Sequence, residues 1–301
     1  MQTRFRPDHQ LTTRMVLTVF LLGLVYVVFI VALIVLIKSF VVVLLVVGLF
    51  LGAQFWFSDR IALYAMQAGI VTPEEQPLLH GIVDRLCATA DMPTPRIAVA
   101  DTDLPNGFAT GRSTRRAVLC VTTGLMRRLD TEELAGVLAH ELSHVAHRDV
   151  VVMTAASFLG VLAGLVARFA FYSSLFGGQG RRDDRGGDST FVLVLAVMAV
   201  SAVVYAISFL LIRALSRYRE LAADRAGAML TGRPSALASA LTKVSGEIRN
   251  IPTRDLRAAE AFNAFFFAPA LGPGVSLSSL LSTHPTLEKR LDQLATMSTQ
   301  L

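Results

Sequence analysis

Lysine is nearly missing from this chain. Three occur in 301 residues, at 38, 243 and 289, so the net charge of +5 rests on scattered arginines. No basic helix face interleaved with aromatics results, which argues against a nucleic-acid partner. Cysteine is scarce too. Cys87 and Cys120 stand far apart and form no CxxC, which excludes a disulfide scaffold and suits a reducing compartment. Both lie among apolar neighbours and read as buried thiols rather than metal ligands. Charged residues make up only 17% of the chain, against about 25% in ordinary soluble domains, while 53% are hydrophobic.

The hydrophobic excess is concentrated in four runs. The first is Met15 to Ile37 and the second about Phe40 to Phe57, with only Lys38 and Ser39 between them. Each has about the length that crosses a hydrocarbon core of ~30 Å, so the two read as a tight transmembrane hairpin. Trp56 and its flanking phenylalanines suit the membrane interface. The first run is too long for a cleaved signal, and no small-x-small site precedes the second. The third run, Val150 to about Ala167, and the fourth, Phe191 to Ile212, form a second pair. A Gly-rich charged loop, 177–188, joins them. The third run is the weaker span, and its alternative reading is a re-entrant or protein-buried hairpin.

Arginines near the span ends set the orientation. Arg4, Arg6 and Arg14, then Arg60 and Arg148, then Arg213, Arg217 and Arg219 place both termini and segment 58–149 in the cytoplasm. Arg181, Arg182 and Arg185 oppose that assignment. The expected divisions are 1–58 and 150–212 as membrane hairpins, and 59–149 with 213–301 as two parts of one soluble domain.

In the soluble segments, Thr72, Pro73 and Glu75 predict a capped helix over 72–90. Residues 96–100, 106–111 and 117–121 read as short strands of a small sheet with one open edge. Asp130-Thr131-Glu132-Glu133 is a second capping box, opening a helix to about Arg148. A further helix is expected from about Ala214 to Leu230, stopped by Gly232 and Pro234.

His140-Glu141-Leu142-Ser143-His144 lies on the second of these helices. Histidines at i and i+4 share one face and can reach one metal ion, with Glu141 beside them to take a proton from water. Zinc needs a third protein ligand. Six residues past His144 stands Val150, and His147 is two turns from His140, about 10 Å. Glu220 is the better candidate, with Asp224 at i+4 placed to hydrogen-bond a ligand imidazole. Salt bridges to Arg217, Arg219 and Arg225 are the plainer reading of that face. His140 precedes two apolar runs and Glu220 follows them, so an even number of crossings lets them meet.

These residues resemble the HtpX-type membrane metalloproteases, relatives of the CAAX prenyl endoprotease. The matching elements are Asn106-Gly107-Phe108-Ala109-Thr110-Gly111, HELSH with Arg148-Asp149, the Glu220/Asp224 helix, and His284-Pro285 with Arg290. One departure is Gly107, where the family usually has alanine. The resemblance implies a mainly α membrane protein: two transmembrane hairpins plus a gluzincin-like α+β protease domain with a small sheet. It implies one zinc ion per chain, held by His140, His144 and Glu220, with Glu141 catalytic. It makes Asn106, Gly107, Phe108, Ala109 and Thr110 an edge strand pairing with substrate backbone. It puts His284 and Arg290 near the cleft, binding substrate or steadying the oxyanion. From the residues alone, His284 is also a plain turn residue before Pro285. The implied substrates are misfolded or damaged membrane proteins, met at the inner (cytoplasmic) membrane. A motif inside an apolar span, a structural zinc site in a scaffold and a transporter are the rival readings. Polar residues bracketing HELSH, an otherwise unneeded Glu141 and apolar runs poor in ionisable groups argue against them in turn.

Overall fold

The computed structural model describes residues 9–37, 66–111, 113–147, 187–250 and 284–300, with scattered residues between 45 and 64. Most of the second apolar run, the whole of the third, Arg148-Asp149 and Arg181 to Arg185 lie outside the described residues, so only one member of each expected hairpin is described in full. What is described is mostly helical with a small mixed sheet. Two helices are long and apolar enough to cross a membrane.

The chain divides into two compact units. One comprises residues 13–56 and 152–212, the other 1–12, 57–151 and 213–301. In the first unit, helix α1 (His9–Ile37) packs Leu22, Phe29 and Leu33 against Val197 and Val204 of helix α5 (Gly187–Thr231). Val16, Phe20, Leu24, Val27 and Val31 of α1 stay exposed, as do Leu195, Val203 and Leu210 of α5. A helix this apolar on its outer face suits hydrocarbon rather than water.

The second unit is built on four strands: β1 (Gly69–Ile70), β2 (Arg96–Ala100), β3 (Gly107–Thr110) and β4 (Val118–Thr122), in the order β1-β2-β4-β3. β2 and β4 are parallel, whereas β1 and β3 pair antiparallel at the two edges. Every residue of β4 is buried, matching its unbroken apolar run. Leu119 and Val121 face the main core, and Val118 and Cys120 the opposite one with Phe108. Burial pushes the Cys87 thiol up to about 11 and Cys120 to about 12, so both stay neutral.

Helix α2 (Pro77–Ala90) begins five residues later than the sequence suggests. The Thr72 amide donates to Glu75 at 2.8 Å, but the motif closes a turn rather than a helix. Pro77, not Pro73, is the first helical residue. It holds Gln76 out of the helical region, at φ −134° and ψ 65°.

A short helix α3 (Thr123–Arg128) leads into α4 (Thr131–Ala146). Here the capping box forms: Asp130 Oδ1 accepts from the Glu132 and Glu133 amides at 2.9 Å, and Glu133 accepts from the Asp130 amide at 3.0 Å. α4 is buried from Glu133 to Val145 and packs on α2, β3 and helix α6 (Pro234–Asn250). Helix α7 (Leu287–Ser298) packs on α6. The fourth apolar run and the Glu220 segment are a single helix, α5, beginning at Gly187, inside the expected loop. It ends at Gly232, whose φ of +66° is the left-handed cap that glycine adopts freely.

Candidate active site

The two halves of the site come from helices far apart in sequence. On α4, His140 and His144 put their rings edge to face, centroids 4.9 Å apart, with the Nε2 atoms separated by 3.3 Å. From α5, Glu220 reaches across: its Oε2 is 3.6 Å from His140 Nε2 and its Oε1 3.4 Å from His144 Nε2. One ligand atom from each lies within 4.8 Å of the other two, and all three residues are buried. Glu220 Oε2 has no hydrogen bond of normal geometry among the described residues. Two converging imidazole nitrogens beside a buried, under-satisfied carboxylate form a donor set that fits a divalent metal, zinc by ligand type.

Asp224, one turn along α5, places Oδ1 2.9 Å from His140 Nδ1 on the ring edge away from the cluster. At that distance Asp224 is placed to accept from Nδ1–H, the arrangement that leaves Nε2 for a metal. Burial would lower the His140 pKa, but Asp224 and Glu220 outweigh it and hold the group above an ordinary imidazole.

Arg290 enters the site from α7. It is 1% exposed, with Nε 2.6 Å from Asp224 Oδ2 and Nη2 2.6 Å from Oδ1. It forms a two-pronged pair behind Asp224, and its Nη1 lies 3.9 Å from Glu220 Oε2, beside the cluster. The planar guanidinium matches a carboxylate in this way, and the pairing compensates the burial of both charges. Burial alone would lower the Arg290 pKa, but Asp224 raises it further. His284, buried ahead of α7, brings Nδ1 to 3.1 Å from Glu220 Oε2. His147 caps the end of α4, with Nδ1 2.8 Å from the Ser143 carbonyl.

Glu141 meets the sheet. Its Oε2 accepts from the Ala109 amide of β3 at 3.1 Å. Burial pushes the carboxyl up, although His140 and His144 pull it down. The expected strand of Asn106, Gly107, Phe108, Ala109 and Thr110 is β3 preceded by Asn106, at an edge of the sheet. Thr122 pins its start: the Asn106 amide donates to Thr122 Oγ1 at 2.9 Å, and the Asn106 carbonyl accepts from the Thr122 amide at 3.0 Å. Antiparallel alternation then turns the main-chain groups of Gly107 and Ala109 away from β4. At Gly107 a Cβ would meet its neighbours at 3.5–3.8 Å, ordinary contact, so the departure from alanine follows from no lack of space.

Sequence reasoning missed three partners here: the Ala109 amide, Thr122, and the inward course of Arg290. Each depends on packing between distant segments. The period-2 spacing of β3 beside a catalytic-type helix is the one signal that could have pointed to the first.

The family model for peptidase family M48 matches residues 73–298, which include every residue of the cluster. The chain belongs to peptidase family M48. Protease HtpX homolog 1 of Streptomyces coelicolor is 64% identical over 301 residues, all of this chain and 97% of that relative. The protease HtpX homolog of Moorella thermoacetica is 49% identical over 302 residues, covering all of this chain and 99% of that one. Protease HtpX homolog 2 of Methanosarcina mazei is 47% identical over the full length of both. Among solved structures, that of S. mikatae Ste24p is similar at TM-score 0.49 and 18% identity, over 95% of this chain and 67% of that one. The M48 peptidase therefore carries a His140/His144/Glu220 cluster compatible with a zinc site.

Proposed function

We propose that this M48 peptidase is a multi-pass, membrane-anchored zinc endopeptidase that cuts misfolded or damaged membrane proteins on the cytoplasmic side of the inner membrane. The observation that carries the catalytic part is the convergence of His140, His144 and Glu220 within 4.8 Å, with Glu141 beside them and tied to an edge strand. The resemblance to HtpX-type enzymes supports the substrate class, and the apolar outer faces of α1 and α5 support the membrane. One zinc ion per chain is held by His140, His144 and Glu220, with Asp224 steadying His140.

When bound, zinc supplies Lewis acidity, which polarises the scissile carbonyl and makes a water molecule acidic. Glu141 takes a proton from the attacking water and delivers it to the leaving amine. The Ala109 amide occupies Oε2, leaving Oε1 for that exchange. The outward main-chain groups of Gly107 and Ala109 offer substrate a strand to pair with, giving affinity with little sequence preference. His284 stands beside the cluster to steady the oxyanion. Arg290 acts through Asp224 instead of touching substrate.

The test is cleavage of an unfolded protein by detergent-purified, zinc-loaded enzyme, with Glu141→Ala assayed alongside and metal content measured for both. Cutting by the wild type alone, with equal zinc in both proteins, supports the assignment. Equal cutting by both removes Glu141 from the chemistry. Zinc bound without cutting by either protein favours a structural metal site.

A further inference from the structure

Gly227 is a glycine where the helix would prefer almost anything else. Inside a helix, glycine is less favourable than alanine because its backbone has more freedom to lose. It lies seven residues after Glu220 and three after Asp224, so all three share one stripe of α5. A Cβ at this position would stand 2.9 Å from the His140 amide nitrogen, 3.1 Å from His140 Cα and 3.3 Å from the Ala139 carbonyl carbon. These are main-chain atoms of α4, and they cannot swing aside as the tip of a long side chain would. α5 therefore rests on the backbone of α4 at the residue that presents the first imidazole. One turn earlier, Gly136 makes a similar approach: a Cβ there would meet the Leu237 nitrogen and Cα of α6 at 3.3 Å.

The ligand geometry tolerates little widening. Asp224 holds His140 at 2.9 Å, and Glu220 spans both imidazoles at 3.4–3.6 Å. We infer that Gly227 is a positioning residue of the metal site: its missing Cβ lets α5 close on α4 far enough for Glu220 to complete a ligand set with His140 and His144. The inference rests on reading those three residues as zinc ligands. Adding one methyl group at 227 forces the helices apart where the two ligand sets meet. Helix propensity favours the same change and offsets part of the cost of that contact to the fold, whereas nothing offsets it at the ligands.

The experiment uses the full chain in detergent, comparing wild type, Gly227→Ala, Gly81→Ala and His140→Ala. Gly81 is an exposed glycine of α2 with nothing within 4 Å of an added Cβ, so it controls for the substitution itself. Zinc affinity is read by chelator competition, and ligand geometry by the visible absorption of bound cobalt(II). Secondary structure and melting are followed on the metal-free proteins. Gly227→Ala is expected to keep its helix content and to melt within a few degrees of wild type. It should nonetheless bind zinc at least about tenfold more weakly, with altered cobalt bands, a loss in the range that displaced supporting groups produce. Gly81→Ala should match wild type in both metal readouts. Wild-type affinity and spectrum in Gly227→Ala would overturn the inference, and so would a Gly227→Ala chain that does not fold, since the glycine would then serve packing alone. If wild type binds no zinc, or His140→Ala binds it as well as wild type, the reading of the ligands fails first.

Discussion

Arg290 and Glu141 are both buried charged residues beside the same histidines, yet the structure gives them opposite work. Arg290 has both prongs on Asp224, so removing it strands a buried carboxylate. Arg290→Ala should cost about 3–5 kcal/mol of unfolding free energy and weaken zinc roughly 10–100-fold through Asp224 and His140. Arg290→Lys keeps the charge but loses the fork, so it should fall between. Thermal unfolding with and without zinc reads the first effect and chelator competition the second. A rise in KM with zinc affinity unchanged would instead restore the substrate contact that the family resemblance implies. At Glu141 the pattern reverses. Glu141→Gln should retain zinc while kcat drops at least about 100-fold, the usual scale for a lost general base. Glu220→Ala should lose the metal itself. Metal analysis beside single-turnover cleavage separates the two, and equal zinc loss in both variants would refute the division of labour.

At the scale of elements, α4 carries most of the chemistry and is also the best-anchored helix described. Glu133 closes its capping box and binds α6, with Lys243 at 2.6 Å and Ser239 at 2.6 Å. Burial alone would raise the Glu133 carboxyl; Lys243, Ser239 and the Asp130 amide together hold it below the ordinary range. A carboxyl with a depressed folded pKa stabilises above its unfolded value, near 4.3, and loses that contribution as pH falls through the folded value. Glu133→Gln should therefore destabilise by about 1–2 kcal/mol at pH 7, limited by the half-exposed lysine. The difference between variant and wild type should shrink below about pH 4. A pH-independent difference would mean that the cap, not the ion pair, is what the substitution removes. In β3, Gly107→Ala should stabilise by about 0.4–1 kcal/mol, because the Cβ fits and the unfolded chain loses freedom. A drop in melting temperature would show strain that the contact distances do not reveal.

The same elements show what was legible in the chain. α4 was readable because both its signals are local: Asp130 with Glu133 at its start, and two histidines four apart. β4 was readable from an unbroken apolar run. β1 has two residues and no pattern of its own; it exists because β2 offers an edge. The start of α2 went wrong because Thr72 and Glu75 meet the capping pattern, yet Pro77 decides where helical backbone begins. Asp224 was found by spacing on one helix. Arg290 approaches it from 66 residues away, and no local rule specifies that approach.

For the whole molecule, the decisive constraint is that α4 and the end of α5 share one site while a segment of apolar character separates them in sequence. Their ligands meet only if residues 147–212 leave and return on the same side of the membrane. The exposed Glu74 of the turn before α2 and Glu288 of α7 should then be reached from one side, and Lys38 and Asp183 from the other. Cys87 and Cys120 are buried, with thiols pushed to about 11 and 12, so they form a quiet background for labelling near neutral pH. Single substitutions Lys38→Cys, Glu74→Cys, Asp183→Cys and Glu288→Cys, probed with a membrane-impermeant maleimide on intact cells, read the arrangement directly. Lys38→Cys and Asp183→Cys should label without permeabilisation, and Glu74→Cys and Glu288→Cys only after it. The reverse pattern would keep the site and turn the enzyme outward, as Arg181, Arg182 and Arg185 would have it. Labelling of Glu74→Cys and Glu288→Cys from opposite sides would be fatal to a shared metal centre, because α4 and α5 could no longer bring His140, His144 and Glu220 together.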